Sequence, residues 1–335
     1  MPPFMCFAVR VRSSLFGLVA AIACAAACAD QSLPTGPVSN LAPDAGGDAP
    51  SGGDGGTRRP GVIRVATFNV HRYFDTVCQS GKCGPSDFEA VVSPATFDTA
   101  TDNLVKGIAL LDPDVISLEE VETAGCLDAL KGKLAAAGLD YPIAHLGETG
   151  SAGSVDVAVL ARGALTGIKT HGDMPLKRAD GTSTSFTREL LEVRMTFGAR
   201  SVVMFAAHFR SQVDDDPGRR LAEAKAARVI MTATATELPD ALVVLGGDLN
   251  DRPGSEAINA MEEGGALLRV AKDIVPESDQ GTYLFNGTKS ALDHVFVVAG
   301  QATRYVPRSA TVYRDDPRGF VGSDHAALAA DFSIE

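Results

Sequence analysis

Ala241-Leu242-Val243-Val244-Leu245 is apolar without a break and then turns abruptly into Gly246-Gly247-Asp248-Leu249-Asn250-Asp251. A run of this length with no polar alternation reads as a strand buried on both faces, which needs a packed layer on each side. Such a strand holds its C-terminal residues rigidly, and two glycines there admit close approach of a backbone or a ligand. A carboxylate beside an amide at that end can orient water or a cation at a phosphorus centre. The same residues also suit a plain turn.

Other segments supply the layers. Residues 62–68 read as a strand, 102–111 as a helix ended before Pro113, and 114–118 as a second strand. A helix over 127–137 stops at Gly138, a strand follows at 155–161, and 187–197 with 201–208 form a hairpin about Gly198. The longest helical pattern, 219–238, carries Leu221, Ala224, Val229 and Ile230 as its buried stripe. Strands at 292–298 and 326–332 complete the set. Strands and helices mixed throughout 61–335 predict one large α/β domain, a sheet core flanked by helices.

Residues 1–60 have a different character. Arg10 and Arg12 precede an apolar run from Leu15 to Cys28, which has the grammar of an export signal and is too short to span a membrane as a helix. Cys24 and Cys28 each follow small residues, as the lipid-acceptor cysteine of a bacterial lipoprotein does, while Ala27-Cys28-Ala29 also fits ordinary cleavage. Residues 1–29 are therefore expected to be the export signal of a membrane-anchored lipoprotein or a secreted protein. Residues 30–60, rich in Pro, Gly, Asp, Ser and Ala, are expected to be a disordered tether. In an oxidising compartment Cys78 and Cys83 are expected to close a small disulfide loop, with Cys126 a buried free thiol.

The chain carries 42 acidic and 30 basic residues, a formal charge of −12, and residues 1–60 contribute four of each sign. The acidity thus belongs to 61–335 and excludes a protein that coats nucleic acid by bulk charge. It does not exclude an enzyme that meets phosphate through local basic groups or a cation. Asp114-Val115-Ile116-Ser117-Leu118-Glu119-Glu120-Val121-Glu122 crowds carboxylates at a strand end, where a hard divalent cation or solvation must offset them. His208 ends another strand, and Ser323-Asp324-His325 precedes the last one. Two strand-end histidines with carboxylates at hand suit proton transfer and phosphoryl stabilisation.

Six segments occur in order: Thr67-Phe68-Asn69-Val70, Leu118-Glu119-Glu120-Val121, Ala207-His208-Phe209, Gly247-Asp248-Leu249-Asn250, Leu292-Asp293-His294-Val295 and Ser323-Asp324-His325. Together they resemble the endonuclease/exonuclease/phosphatase superfamily, over essentially all of 61–335. The family often has Gln-Glu where this chain has Glu119-Glu120. The resemblance implies a four-layer α/β sandwich, two mixed sheets face to face with helices outside, and a metal-dependent phosphoric ester hydrolase. It implies Glu120 as the main ligand of Mg²⁺, or of Mn²⁺ or Ca²⁺, assisted by Asn69 and Asp324. His325 would activate the attacking water, oriented by Asp293; Asp248 and Asn250 would position water or a phosphate oxygen. His208 would donate to the phosphate or its leaving group, and Arg188 would contact the phosphate.

Tyr73-Phe74 and Thr282-Tyr283-Leu284-Phe285-Asn286-Gly287 are similar to segments of secreted bacterial nucleases of the superfamily, so a phosphodiester in nucleic acid is the expected substrate. A lipid, inositol or sugar phosphate is the alternative, and a binding protein that keeps the fold without catalysis is one of a different class. A basic rim over 169–188 and 210–220 would favour nucleic acid, an apolar hairpin lipid. No protein partner is inferred, and membrane contact is expected only through the N-terminal anchor.

Overall fold

Strand β1 (Val62–Tyr73) shows how the layers form. Its side chains alternate: Ile63 and Val65 enter one apolar cluster, while Ala66 and Phe68 enter another on the opposite face. Period-two alternation with both faces apolar is what a strand packed between two layers requires.

The computed structural model describes residues 60–285, 287–315 and 319–335. The export signal expected at 1–29, and the tether expected at 30–60 apart from Pro60, lie outside the described residues. After β1 come α1 (Pro94–Leu111), β2 (Val115–Val121), α2 (Ala124–Ala136), β3 (Ile143–Gly147), β4 (Asp156–Ala161) and β5 (Ala164–Thr170). A ribbon of β6 (Leu176–Lys177) and β7 (Ser183–Thr184) leads to β8 (Leu191–Phe197), β9 (Arg200–His208), α3 (Pro217–Glu237) and β10 (Leu242–Asp248). Next are α4 (Glu256–Glu262), β11 (Leu267–Arg269) and a second ribbon of β12 (Tyr283–Phe285) and β13 (Thr288–Ser290). β14 (Asp293–Val298), β15 (Thr311–Tyr313) and β16 (Ala327–Ser333) follow.

Two six-stranded sheets result, in the orders β15-β16-β1-β2-β4-β3 and β11-β14-β10-β9-β8-β5. Both are mixed: β1 pairs parallel with β2 and antiparallel with β16, and β10 pairs parallel with β9 and antiparallel with β14. Between the sheets, Val65, Val115 and Leu328 pack with Met204, Val244 and Val295. Outside the first sheet, Phe68 and Leu118 meet Ile108 of α1 and Leu130 of α2. Outside the second, Phe205 and Leu245 meet Ala227 and Met231 of α3 and Ile258 of α4. The order helix, sheet, sheet, helix is the expected four-layer sandwich.

Three sequence readings change in detail. α1 begins at Pro94 rather than 102, with the Ser93 hydroxyl accepting from the Thr96 N–H, a Ser-Pro start signal masked by the threonine-rich first turns. Residues 187–190 are not strand, since β8 starts at Leu191. On α3, Val229 is 57 % exposed and the buried stripe runs instead through Ala224, Ala227 and Met231. Alanine lets the helix lie close on the sheet, which outweighs the larger side chain's hydrophobicity. Cys78 and Cys83 are disulfide-bonded, and Cys126 is free and buried.

The two glycines of β10 serve backbone approach. A Cβ on Gly246 would lie 2.7 Å from Ser117 Oγ across the sheet interface, and one on Gly247 would lie 2.0 Å from the Ala207 carbonyl oxygen. Gly247→Ala must therefore push β10 from β9, and the expected loss is about 2–3 kcal/mol in urea unfolding, with Asp248 displaced. Unfolding at the wild-type midpoint would contradict the packing described.

Candidate active site

The inner faces of the strands change character toward one end. On β1 the sequence of inward residues is Val65, Thr67, Asn69; on β2 it is Val115, Ser117, Glu119; on β9 Met204, Ala206, His208; on β10 Val244, Gly246, Asp248. β14 runs the other way, so its first residue, Asp293, pairs with Asp248 at the same end. Asn69, Glu119, His208, Asp248 and Asp293 are all at most 3 % exposed. Burying this many polar groups is costly unless they bond to one another.

Their bonds converge on one atom. Asp248 Oδ2 accepts from Asn69 Nδ2 at 3.0 Å and lies 3.7 Å from His208 Nε2 and 3.9 Å from His325 Nε2. Its other oxygen accepts the Asn250 N–H at 2.8 Å. Burial first, and then Asp293, raise the Asp248 carboxyl to about 7. His325 Nδ1 lies 2.8 Å from Asp293 Oδ2. Burial alone would depress the His325 imidazolium, but Asp293, with Asp248 and Asp324, lifts it to about 10. His208 goes the other way: burial, with Arg188 and His325 nearby, holds it well below its ordinary value, so it is a neutral imidazole. Asn69, Asp324 and His325 belong to the first sheet and its loops, His208, Asp248 and Asp293 to the second, so the centre straddles the seam between them.

Glu120 reaches the cleft through irregular backbone. β2 shifts register between Glu119 and Val121, and Glu120 has φ 69°. β1 is irregular beside it, with His71 and Arg72 at φ 53° and 50°. These left-handed residues, with Asn250 at 51°, turn side chains out of the pleat into the cleft. Glu120 accepts from Asn69 Nδ2 at 3.2 Å and from the Arg72 N–H at 2.8 Å. Asn69 Oδ1 accepts the His71 N–H, and the His71 ring pairs with Asp324 at 2.9 Å. Asn69 thus presents its amide nitrogen to Glu120 and Asp248 and braces both.

Glu119 is wholly buried and accepts from the Thr67 hydroxyl at 3.1 and 3.2 Å. Burial, then Asp293 and Asp248, raise its carboxyl well above the ordinary range, toward the neutral form. A neutral carboxyl has nearly the shape of the glutamine amide, which explains why glutamate is accommodated where the family often has glutamine.

The cleft above these groups has a volume of about 660 Å³. Glu120, Arg188, His208, Asp248, Asn250, Asp324 and His325 line it, whereas Asn69 and Asp293 stand behind as supports. Arg72, to which the sequence reading gave no role, and Arg210, which it placed only in the 210–220 rim, also line it. Arg188 is held by the Phe209 carbonyl, 3.1 Å from Nη1. Helix α3 organises this wall. Glu223, wholly buried, accepts the Thr187 N–H at 2.6 Å and the Arg210 N–H at 2.7 Å. Arg220 bonds the Arg210 carbonyl and Asp251. Both were invisible as site residues because they act on distant loops, though a glutamate on the buried stripe was a signal. His294 is likewise a brace, its Nε2 2.9 Å from the Asp251 carbonyl.

The family model described as "Endonuclease/Exonuclease/phosphatase family" matches residues 64–318. The chain belongs to that family. Members of the endonuclease/exonuclease/phosphatase family hydrolyse phosphoric esters with a divalent metal, and the chain is an enzyme of that class. Among solved structures it is similar to TDP2 from C. elegans, at 16 % identity and TM-score 0.58, with 81 % of this chain and 75 % of that one covered. D. rerio TDP2 complexed with single strand DNA product has 17 % identity and TM-score 0.55, covering 81 % and 98 %. The human Nocturnin catalytic domain with bound sulfate anion has 16 % identity and TM-score 0.57, covering 81 % and 94 %. At such identities the likeness is one of fold. No curated protein matches the sequence.

The donors fit the family's metal. Glu120, Asp248, Asp293 and Asp324 offer carboxylate oxygens and no thiolate, and donor atoms of Asp248, Asp293 and His325 lie within 4.8 Å of one another. Asp293 Oδ1 is buried with no hydrogen-bond partner. Hard oxygens of this kind suit a hard divalent cation.

Glu223→Ala should leave two backbone N–H groups without their acceptor and cost about 2–4 kcal/mol in urea unfolding, with KM raised more than kcat is lowered. Glu223→Gln, whose amide oxygen still accepts, should recover much of both. Equal effects of the two variants would show that Glu223 is not the brace of the Arg188–Arg210 wall.

Proposed function

We propose that this enzyme is an exported, Mg²⁺-dependent phosphodiesterase that hydrolyses P–O bonds in nucleic acid. The observation that carries the reading is the pairing, in one cleft, of the His325–Asp293 couple and Asp248 with three arginines, Arg72, Arg188 and Arg210. His325 Nε2 and Asp248 Oδ2, 3.9 Å apart, are placed to share one water. The water oxygen forms the new bond to phosphorus as its proton passes to His325, and the bond to the leaving oxygen breaks with its electron pair on that oxygen, which takes up a proton from solvent. Asp293 fixes the tautomer and stabilises the imidazolium. Neutral His208 and the arginines bond the phosphoryl oxygens as charge builds on them. A divalent cation held by Glu120 and Asp324 would neutralise phosphate charge and offset the carboxylates that otherwise keep His325 protonated.

Support for nucleic acid comes from Arg188 and Arg210, which line the cleft from segments 169–188 and 210–220 although Asp214–Asp216 balance the arginines of the second, and from the fold shared with a TDP2 structure that holds a DNA product. Support for export comes from the signal grammar of 1–29 and from the Cys78–Cys83 disulfide, which suits an oxidising compartment.

His325→Ala and Glu120→Gln should each lower kcat on oligonucleotides by about 10²–10⁴-fold while circular dichroism stays native. Chelation should abolish turnover, and Mg²⁺ should restore it. Undiminished turnover in either variant would overturn the assignment.

A further inference from the structure

Three aromatic side chains line the cleft, and packing leaves part of their ring surface uncovered: Phe88 meets Phe74 edge to face yet stays half exposed. Phe285 is 62 % exposed and Phe88 is 49 % exposed, and both line the cleft with Tyr283. Tyr283 and Phe285 project from the same face of β12, their rings 8° from parallel with centroids 6.4 Å apart. Tyr283 also lies 4.7 Å from the His325 ring, so this aromatic face begins at the catalytic centre and runs outward to Phe285. Phe88, on the loop after β1, carries the Arg72 guanidinium 4.7 Å above its ring.

We infer that this face is a stacking platform for unpaired bases, so that the enzyme takes single-stranded nucleic acid in preference to duplex; the inference rests on the phosphodiesterase reading above. In a duplex the base faces are covered by their neighbours, and only a splayed or single-stranded base has a face to offer an aromatic ring. The charge of the protein points the same way. Arg72, Arg188 and Arg210 are the arginines among the described cleft residues, and no lysine joins them. Three phosphate contacts give a salt slope of only about −2 for a single strand. An acidic enzyme with so few arginines gains from contacts that salt does not screen, and stacking is such a contact.

The test is binding of the full-length protein, in chelator to prevent turnover, to an oligothymidylate strand, its abasic counterpart and the matching duplex, read by fluorescence anisotropy. The expected result is about tenfold tighter binding of the strand than of the abasic chain or the duplex. Phe285→Leu, which keeps an apolar surface but removes the ring, should narrow that ratio about tenfold, and Phe285→Trp should keep it. Equal binding of the three ligands, or a ratio unmoved in Phe285→Leu, overturns the inference. So does a Phe285→Leu variant that loses binding to phosphatidylglycerol vesicles while keeping the strand preference, since the face would then be a lipid contact. Failure to hydrolyse any strand when Mg²⁺ is restored would strike the phosphodiesterase reading and leave the binding ratio as a separate result.

Discussion

The hydrogen bond from Asn69 to Asp248 crosses from one sheet to the other at the end of their shared core. It is the point at which packing becomes chemistry. Below it, valines, leucines and methionines of both inner faces exclude water. Above it, the same alternation delivers polar side chains that would be untenable if the sheets were further apart or slid by one residue, since a single-residue slip turns every side chain to the opposite face. Gly246 allows the approach, and the apolar end of the interface holds the register that the polar end requires. Burial keeps His208 neutral while Asp293 keeps His325 protonated, although both lie within 4 Å of one carboxylate oxygen.

Much of this was legible in the chain because strand ends are marked in sequence. An apolar run that stops at Gly-Gly-Asp, or at a histidine, announces both the buried strand and the residue it presents, which is why Asp248, His208 and His325 could be named beforehand. The resemblance of six ordered segments then implied the four layers, which the alternation on β1 makes physical. What was not legible depends on irregular backbone or on distance along the chain. Glu120 enters the cleft through a left-handed residue in a shifted register, and no periodicity announces that. Glu223 sits in a helix whose sequence looks amphipathic in the ordinary way, and its two partners are 36 and 13 residues away. Val229 shows the opposite failure, in which hydrophobicity promised burial and the need for small residues against the sheet overruled it.

A net charge of −12 and a phosphate-seeking site look contradictory until the charges are located. The central carboxylates are not free negative surface. Glu119 is biased toward its neutral form, Asp248 is poised near neutrality in pH, and Asp293 is matched by the His325 imidazolium. The arginines of the wall face the cleft because backbone bonds to α3 hold their loops there. Local arrangement therefore decides the field that a phosphodiester meets, and the bulk charge governs mainly how little the protein adheres to polyanions elsewhere.

The seam location of the centre makes activity depend on the whole fold. Asn69, Asp324 and His325 come with one sheet, and His208, Asp248 and Asp293 with the other. A chain in which only one sheet has formed holds either the proton acceptor or its orienting carboxylate, never both. Hydrolysis therefore requires both sheets and their docking, and a copy with only one sheet in place is chemically silent however native its separate strands.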